Sequence, residues 1–454
     1  MKVLGRCRER IRESIRAGRV RFAVYGLGKM GLPLAAVLAQ SGSYVTGVDI
    51  DPQVVSQVND GGCPLSGEPG LAELVRRMTD AGRLRATSDG EMAAAAADVM
   101  VVLVPVLLVE NKGPDLSAVT SACRTISRHL VSGDLVIIET TVPPRTTESV
   151  ILPILLESGL SPGDFGLAFC PERASSGHAL RDITGAYPKV VGGVDAVSRE
   201  AASAIYEVIN TSGVTATSDT TTAEAVKLFE CIYRDVSIAF VNELALLCEE
   251  LGIDSAEVIA RAGEPVDDAT GCPFVTLLKA GAGVGGHCIP VYPYFVTHSV
   301  DTPTEVIPAA RRRNEAMPAH VVDIVRTALD HLGRRLDETR VLVVGLCFRP
   351  GVRETRNSPG LAVARRLKQW GASVSAYDSL LSPDEIRDLE LVPCSAFEGL
   401  DCIVFIHDCV FVGDVVKEHA GRMRTPLLVD CCGCVDMRAA AAAGFVCRRL
   451  GNGR

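Results

Sequence analysis

The chain has 454 residues, of which 47% are hydrophobic, 22% charged and only 5% aromatic, with a formal net charge of −9. These values exclude a disordered or collagen-like chain, and the length is too great for one ordinary core, so two or three domains are expected. The acidic balance argues against a nucleic-acid partner, and few aromatics beside many small aliphatics favour helices on buried parallel sheets over a sandwich.

The first 21 residues carry eight Lys/Arg against Glu9 and Glu13, without a continuous apolar core. They read as a basic extension over 1–20, a short amphipathic helix solvated on the surface, and not as a signal peptide. Arg21-Phe22-Ala23-Val24-Tyr25 then forms an apolar strand running into Gly26-Leu27-Gly28-Lys29-Met30-Gly31. A helix from about Leu32 to Gln40 follows, then a strand ending Val45-Thr46-Gly47-Val48-Asp49. That strand–glycine loop–helix–strand–acid order is the context in which GxGxxG binds a dinucleotide. Gly26 permits the turn, Gly28 lets a pyrophosphate approach the backbone, and Gly31 lets helix and strand pack closely. Asp49 would accept hydrogen bonds from the adenosine ribose and repel a 2′-phosphate, so NAD is expected rather than NADP.

Further strands are expected at Val99–Val104, Leu135–Glu139 and Gly166–Phe169, completing a doubly wound sheet. The most apolar run, Val99 to Val109, has eleven residues and contains Pro105, too short to span a membrane. From Thr220 to Leu251 the pattern is helical throughout, interrupted by Lys227, Glu230, Arg234, Asp235, Asn242 and Glu243; such a helix joins domains or pairs with a second subunit. A second strand–glycine–helix–strand unit runs from Arg340–Gly345 through a helix from Pro359 to about Trp370 to Tyr377-Asp378. Its loop lacks GxGxxG and carries Arg349, Arg353 and Arg356, which suit a phosphorylated ligand. The sixteen cysteines are scattered, as reduced cytoplasmic thiols are. Cys431, Cys432 and Cys434 lie together but without a second cluster or a nearby His, so no metal is expected.

The expected fold is α/β: an NAD-binding Rossmann domain over 21–213, a helical dimerisation domain over 214–318, and a second Rossmann-like domain over 319–454 for a phosphorylated ligand. The most informative stretch is Gly281-Ala282-Gly283-Val284-Gly285-Gly286-His287-Cys288-Ile289-Pro290. Its glycines free the backbone to wrap a ligand and deliver a cysteine. A thiolate near a nicotinamide can capture an aldehyde, pass hydride to NAD and release an acid by hydrolysis.

With these residues in view the chain resembles the UDP-glucose/GDP-mannose dehydrogenase family over nearly its whole length after residue 20. The markers are Gly26–Gly31, Glu139-Thr140-Thr141-Val142-Pro143-Pro144, Cys170-Pro171-Glu172-Arg173, the Glu224–Arg234 helix, Gly283–Pro290 and Phe348–Pro359. The resemblance implies NAD-dependent, four-electron oxidation of C6 of a nucleotide-linked hexose by a homodimer. It implies Cys288 as nucleophile, Lys227 as the lysine that stabilises an oxyanion, Glu172 as the carboxylate of thioester hydrolysis, and Thr141 beside the nicotinamide. Lys29, Met30 and Arg356 fall at cofactor positions. Arg173, Ala174, Lys227, Cys231, Arg234, Gly285, Phe348 and Arg349 fall at positions contacting the nucleotide sugar. GHCIP and CPER look more like the branch acting on UDP-N-acetylhexosamines than the UDP-glucose branch.

The chain departs from the family pattern in several places. Cys231 stands where an Asn is usual and Tyr292 where an Asp is usual; Cys272 and Phe274 replace a His and an Arg, and Val104-Pro105-Val106 loses a hydroxyl. These departures leave open a UDP-glucose enzyme, an impaired paralogue that binds NAD and UDP-sugar, or a two-electron dehydrogenase.

Overall fold

The computed structural model describes residues 1–264, 266–267, 270–273, 275–394, 397–407 and 420–453. It divides into two compact units, Met1–Glu230 with Tyr294–Asp301, and Cys231–Pro293 with Thr302–Arg454.

The first unit is built on an eight-stranded sheet. Its strands are β1 (Arg21–Tyr25), β2 (Tyr44–Val48), β3 (Leu84–Thr87), β4 (Val99–Val102), β5 (Leu135–Ile138), β6 (Gly166–Phe169), β7 (Lys189–Gly193) and β8 (Val214–Ala216), in the spatial order β8-β7-β6-β5-β4-β1-β2-β3. Every pairing is parallel except β6 with β7. The Val/Ile/Leu-rich β4 and β5 are buried at every residue, as strands covered on both faces must be. The chain leaves β1 in one direction through β2 and β3 and resumes on its other side with β4, so the topological switch point lies at the C-terminal ends of β1 and β4, where open α/β sheets bind ligands.

The N-terminal helix α1 (Arg8–Arg16) is not the solvated element expected. Ile11 and Ile15 are wholly buried in the core of the unit. Its basic face is spent on acids of the helix Ala196–Ile209: Arg8 pairs with Glu200 at 2.6 Å, and Arg8 and Arg12 both reach Glu207. A charge run does not show its partner in the sequence, because the acids that neutralise it are nearly two hundred residues away.

Among its described residues the second unit carries six parallel strands, β9 (Arg340–Val344), β10 (Ser373–Tyr377), β11 (Val392–Pro393), β12 (Cys402–Phe405), β13 (Leu427–Asp430) and β14 (Val446–Arg449), in the order β11-β10-β9-β12-β13-β14. It repeats the local grammar of the first. A Cβ on Gly31 would lie 1.8 Å from the Gly26 carbonyl oxygen, and one on Gly360 would lie 2.0 Å from that of Gly345; at both places helix and loop touch through bare backbone. The Leu27 amide donates to Asp49 at 2.8 Å, and the Leu346 and Cys347 amides donate to Asp378 at 2.8 Å. The helices α2 (Gly31–Gln40), α3 (Thr220–Leu251) and α5 (Pro359–Gln369) fall within a residue of their expected bounds, whereas the 26-residue α4 (Val306–His331) had no expectation in the sequence. No described helix is long and apolar enough to cross a membrane.

Candidate active site

The two glycine loops differ in what stands over them. A Cβ on Gly28 would meet nothing within 4 Å, so the loop after β1 is open at this residue, as the approach of a pyrophosphate to the backbone requires. Asp49 is oriented by the Leu27 amide on one oxygen and the Asp51 amide at 3.0 Å on the other. Lys29 is exposed and Met30 half-buried beside it. In the second unit the His407 ring closes over Gly345, 2.8 Å from where a Cβ would stand. That histidine is also within 3.6 Å of Asp378, whose carboxyl is held down at about 2: burial opposes ionisation, but His407 and three backbone amides outweigh it. The second loop is thereby shut to the pose that the first leaves open.

Beyond the C-terminal end of β6, Glu172 is almost fully buried and doubly held. One oxygen accepts the Ala174 amide at 2.6 Å and the other accepts Lys189 Nζ at 2.8 Å. Lys189 also donates to Glu139 at 2.9 Å, and the Tyr206 hydroxyl donates to the other Glu139 oxygen. Burial raises both carboxyls, but Lys189 outweighs it for Glu172, which stays below the usual carboxylate range with a further lowering from Lys227; Glu139 is pushed up to about 7. Two carboxylates sharing one ammonium in a dry site cannot both ionise easily. Arg173 is drawn over the Tyr187 ring, 4.8 Å from its centroid, and donates to Glu230 at 2.9 Å and to the Pro188 carbonyl at 2.6 Å.

Thr141, half-buried, begins a turn held from below. The wholly buried Glu224 of α3 accepts the amides of Arg145 at 2.6 Å and Thr147 at 2.8 Å together with the Thr147 hydroxyl. Lys227 and Cys231 follow Glu224 by three and seven residues, which sets Lys227 and Cys231 one turn apart on the same helix.

In the second unit the 281–290 loop is tied at both ends. Asn242 Oδ1 accepts the Gly281 amide at 2.9 Å, and its nitrogen donates to Asn314, which donates in turn to Asp235; Arg311 completes this buried network at 2.7 Å from Asp235. At the other end Gly285 lies against the 346–358 loop, where a Cβ would stand 2.7 Å from Phe348 Cβ and 2.9 Å from the Asn357 carbonyl. Those glycines are needed for packing between two loops, a duty that the sequence, read as ligand wrapping, did not reveal. Cys288 is half-buried and its thiol donates to the Tyr292 hydroxyl at 3.5 Å.

Comparison with known proteins decides the family. Residues 20–210 match the NAD binding domain of the UDP-glucose/GDP-mannose dehydrogenase family, residues 221–316 its central domain and residues 342–437 its UDP binding domain. The chain belongs to the UDP-glucose/GDP-mannose dehydrogenase family. Among curated relatives, UDP-N-acetyl-D-mannosamine dehydrogenase of Methanococcus maripaludis is 33% identical over 95% of this chain and 97% of its own. NDP-N-acetyl-D-galactosaminuronic acid dehydrogenase of Ralstonia nicotianae is 36% identical over 92% and 97%. The solved UDP-D-ManNAc dehydrogenase of Pyrococcus horikoshii superposes with a TM-score of 0.86 at 32% identity, over 95% of this chain and 99% of that one.

Membership makes the chain a dehydrogenase of the NAD-binding kind, and the open Gly28 cradle with its oriented Asp49 fits that cofactor. Within the dehydrogenase fold the expected residues divide between the units. Gly26–Gly31, Asp49, Thr141, Glu172, Arg173, Ala174 and Lys227 lie in the first; Cys231, Arg234, Gly285, Cys288, Phe348, Arg349 and Arg356 lie in the second. Two expectations change. The Ala174 amide is already bonded to Glu172, and of the three loop arginines Arg353 is paired with Glu385 at 2.6 Å; Arg349 lies 5.7 Å from the Phe348 ring centroid and Arg356 is exposed. Phe274 lies outside the described residues, and Cys272 is exposed. The partners missed from sequence are Lys189, Tyr206 and Asn242. The signal for Asn242 was present, since an amide on the buried face of an apolar helix needs a reason. Lys189 gave none.

Proposed function

We propose that this chain oxidises C6 of a UDP-N-acetylhexosamine, UDP-ManNAc, UDP-GalNAc or UDP-GlcNAc, from alcohol to acid at the expense of two NAD. The observation that carries the reading is full-length similarity, above 30% identity, to relatives named for N-acetylhexosamine nucleotides. Bound NAD accepts a hydride from the substrate at each oxidation. In this reading Lys227 holds the C6 oxygen and stabilises its negative charge. The Cys288 thiolate adds to the aldehyde to give a thiohemiacetal, whose oxidation leaves a thioester. Glu172, ionised and fixed by Lys189, orients the water that hydrolyses it, and Thr141 orders water at the nicotinamide. Arg173, Arg234, Phe348 and Arg349 hold the nucleotide sugar, and Arg356 meets the cofactor.

The reading includes the three-domain division at about 213 and 318, a cytoplasmic place of action and a homodimer. For the last, Tyr233, Phe240, Leu247 and Leu251 of α3 are 74%, 55%, 50% and 70% exposed. Their spacing of 7, 7 and 4 puts them on one helix face, and large apolar groups in such a row favour a second copy.

The test is the NADH yield per sugar at limiting substrate, run on the three acetylhexosamine nucleotides and on UDP-glucose. Two equivalents from an acetylhexosamine support the reading, and two from UDP-glucose alone refute its substrate. One equivalent means a two-electron enzyme. Tyr292 at the Cys288 thiol favours a second reading, a chain that binds NAD and UDP-sugar without turnover; it would give ligand-induced thermal shifts and no NADH.

A further inference from the structure

His287 precedes the nucleophile and is held more firmly than a residue in a glycine-rich loop needs to be. Gly286 donates its amide to the Arg356 carbonyl at 2.9 Å and accepts from Asn357 Nδ2 at 2.9 Å. The same 346–358 loop is folded on itself by the Phe348 amide, which donates to the Glu354 carbonyl at 2.8 Å. The fold-back brings the Glu354 carboxylate, only 9% exposed, to 3.3 Å from His287 Nδ1. Cys288 is the next residue in the chain, and its side chain and the imidazole interact. Nucleophile, imidazole and carboxylate thus form a continuous chain within one unit, with Tyr292 at the sulfur. The groups facing the ring are Cys288 and Glu354; Arg353 of the same loop is turned to Glu385.

We infer that His287, oriented by Glu354, takes the Cys288 proton and holds the sulfur as a thiolate in a thiolate–imidazolium pair, with the Tyr292 hydroxyl as a second donor to it. This rests on the proposed role of Cys288 as nucleophile. The proton leaves Sγ for the imidazole before any substrate chemistry. When the sulfur attacks an aldehyde, an S–C bond forms, the C=O π pair moves to oxygen, and no oxidant is consumed. When the thioester is later cleaved, the S–C bond breaks and its electron pair returns to a sulfur already facing a cation. The electrostatics run the same way. The bonds to Cys288 and Glu354 outweigh burial and push the His287 imidazole up to about 9, so the cation persists at neutral pH. A thiol beside an imidazolium ionises well below the free value of about 8.5.

The test titrates Cys288 in the full-length protein without substrate, by the pH dependence of its iodoacetamide alkylation read on the Cys288 peptide by mass spectrometry. The expected wild-type midpoint is at least a unit below that of a free thiol. His287→Gln should raise it and slow alkylation at pH 6.5 about tenfold. Glu354→Gln, which keeps the imidazole, should raise it by less and gives a second reading if His287→Gln does not fold. Midpoints unchanged by Glu354→Gln and by a folded His287→Gln would overturn the inference. Because no substrate is present, its failure is distinct from failure of the nucleophile role, which full NADH formation by Cys288→Ala would reveal.

Discussion

Lys189 Nζ lies 2.8 Å from Glu172 and 2.9 Å from Glu139, the single described ammonium shared by two buried carboxylates at the ends of neighbouring strands. Glu172 is consequently an ionised, immobile acceptor and not a poised acid. In the proposed mechanism its use is to align water by charge and position, and Lys189 sets that charge state.

Lys189→Met should therefore cost far more than a surface charge. Removing one partner of a buried ion cluster typically costs about 3–5 kcal/mol, because the remaining charges are left uncompensated. Urea unfolding at pH 7 checks it; a loss below about 1 kcal/mol would mean that the cluster is hydrated.

Glu224 sets a pH dependence of definite sign. Burial raises its carboxyl from 4.5 to about 7, against the lowering by Thr147 and Arg145. The folded state then binds a proton that the unfolded state has released, so this group's contribution to stability is greatest below about 4.5 and is lost as pH rises to about 7. Relative to wild type, Glu224→Gln should flatten the stability profile between pH 4.5 and 7.5 by on the order of 2–3 kcal/mol. Denaturation at several pH values measures it, and a parallel offset with no change in slope would count against the buried carboxyl.

Three glycines separate cofactor binding from folding. Gly28→Ala puts its methyl in open space and should fold as wild type while weakening NAD at least tenfold in a fluorescence titration. Gly31→Ala, aimed at a carbonyl 1.8 Å away, and Gly285→Ala, at 2.7 Å from Phe348, should both lower the melting temperature. Normal NAD affinity in folded Gly28→Ala would remove the loop from the pyrophosphate site.

The exposed row on α3 predicts the assembly. Phe240→Glu with Leu247→Glu should halve the particle mass in light scattering, with melting of each protomer little changed. An unchanged mass would assign the row to another role.

Much of this chain was legible before folding. Strand, glycine loop, helix and acid follow from local sterics: a Cβ is excluded at Gly31 by backbone only five residues away, and a 32-residue run with apolar residues at three- and four-residue spacing has little choice but helix. The Cys288 loop, the arginine-bearing loop and the family were accordingly readable, because each is a contiguous run. Tertiary structure decided what crosses the sequence. Lys189 stands 17 residues from Glu172 and 50 from Glu139, Asn242 is 39 from Gly281, and Glu354 is 67 from His287. None of these pairs has a local period or motif, because desolvation and Coulomb energy depend on distance in space and burial, which exist only once sheets and loops are packed. Sequence determined which residues could do the chemistry; the packed chain decided which are charged, which are already engaged, and which hold the others in place.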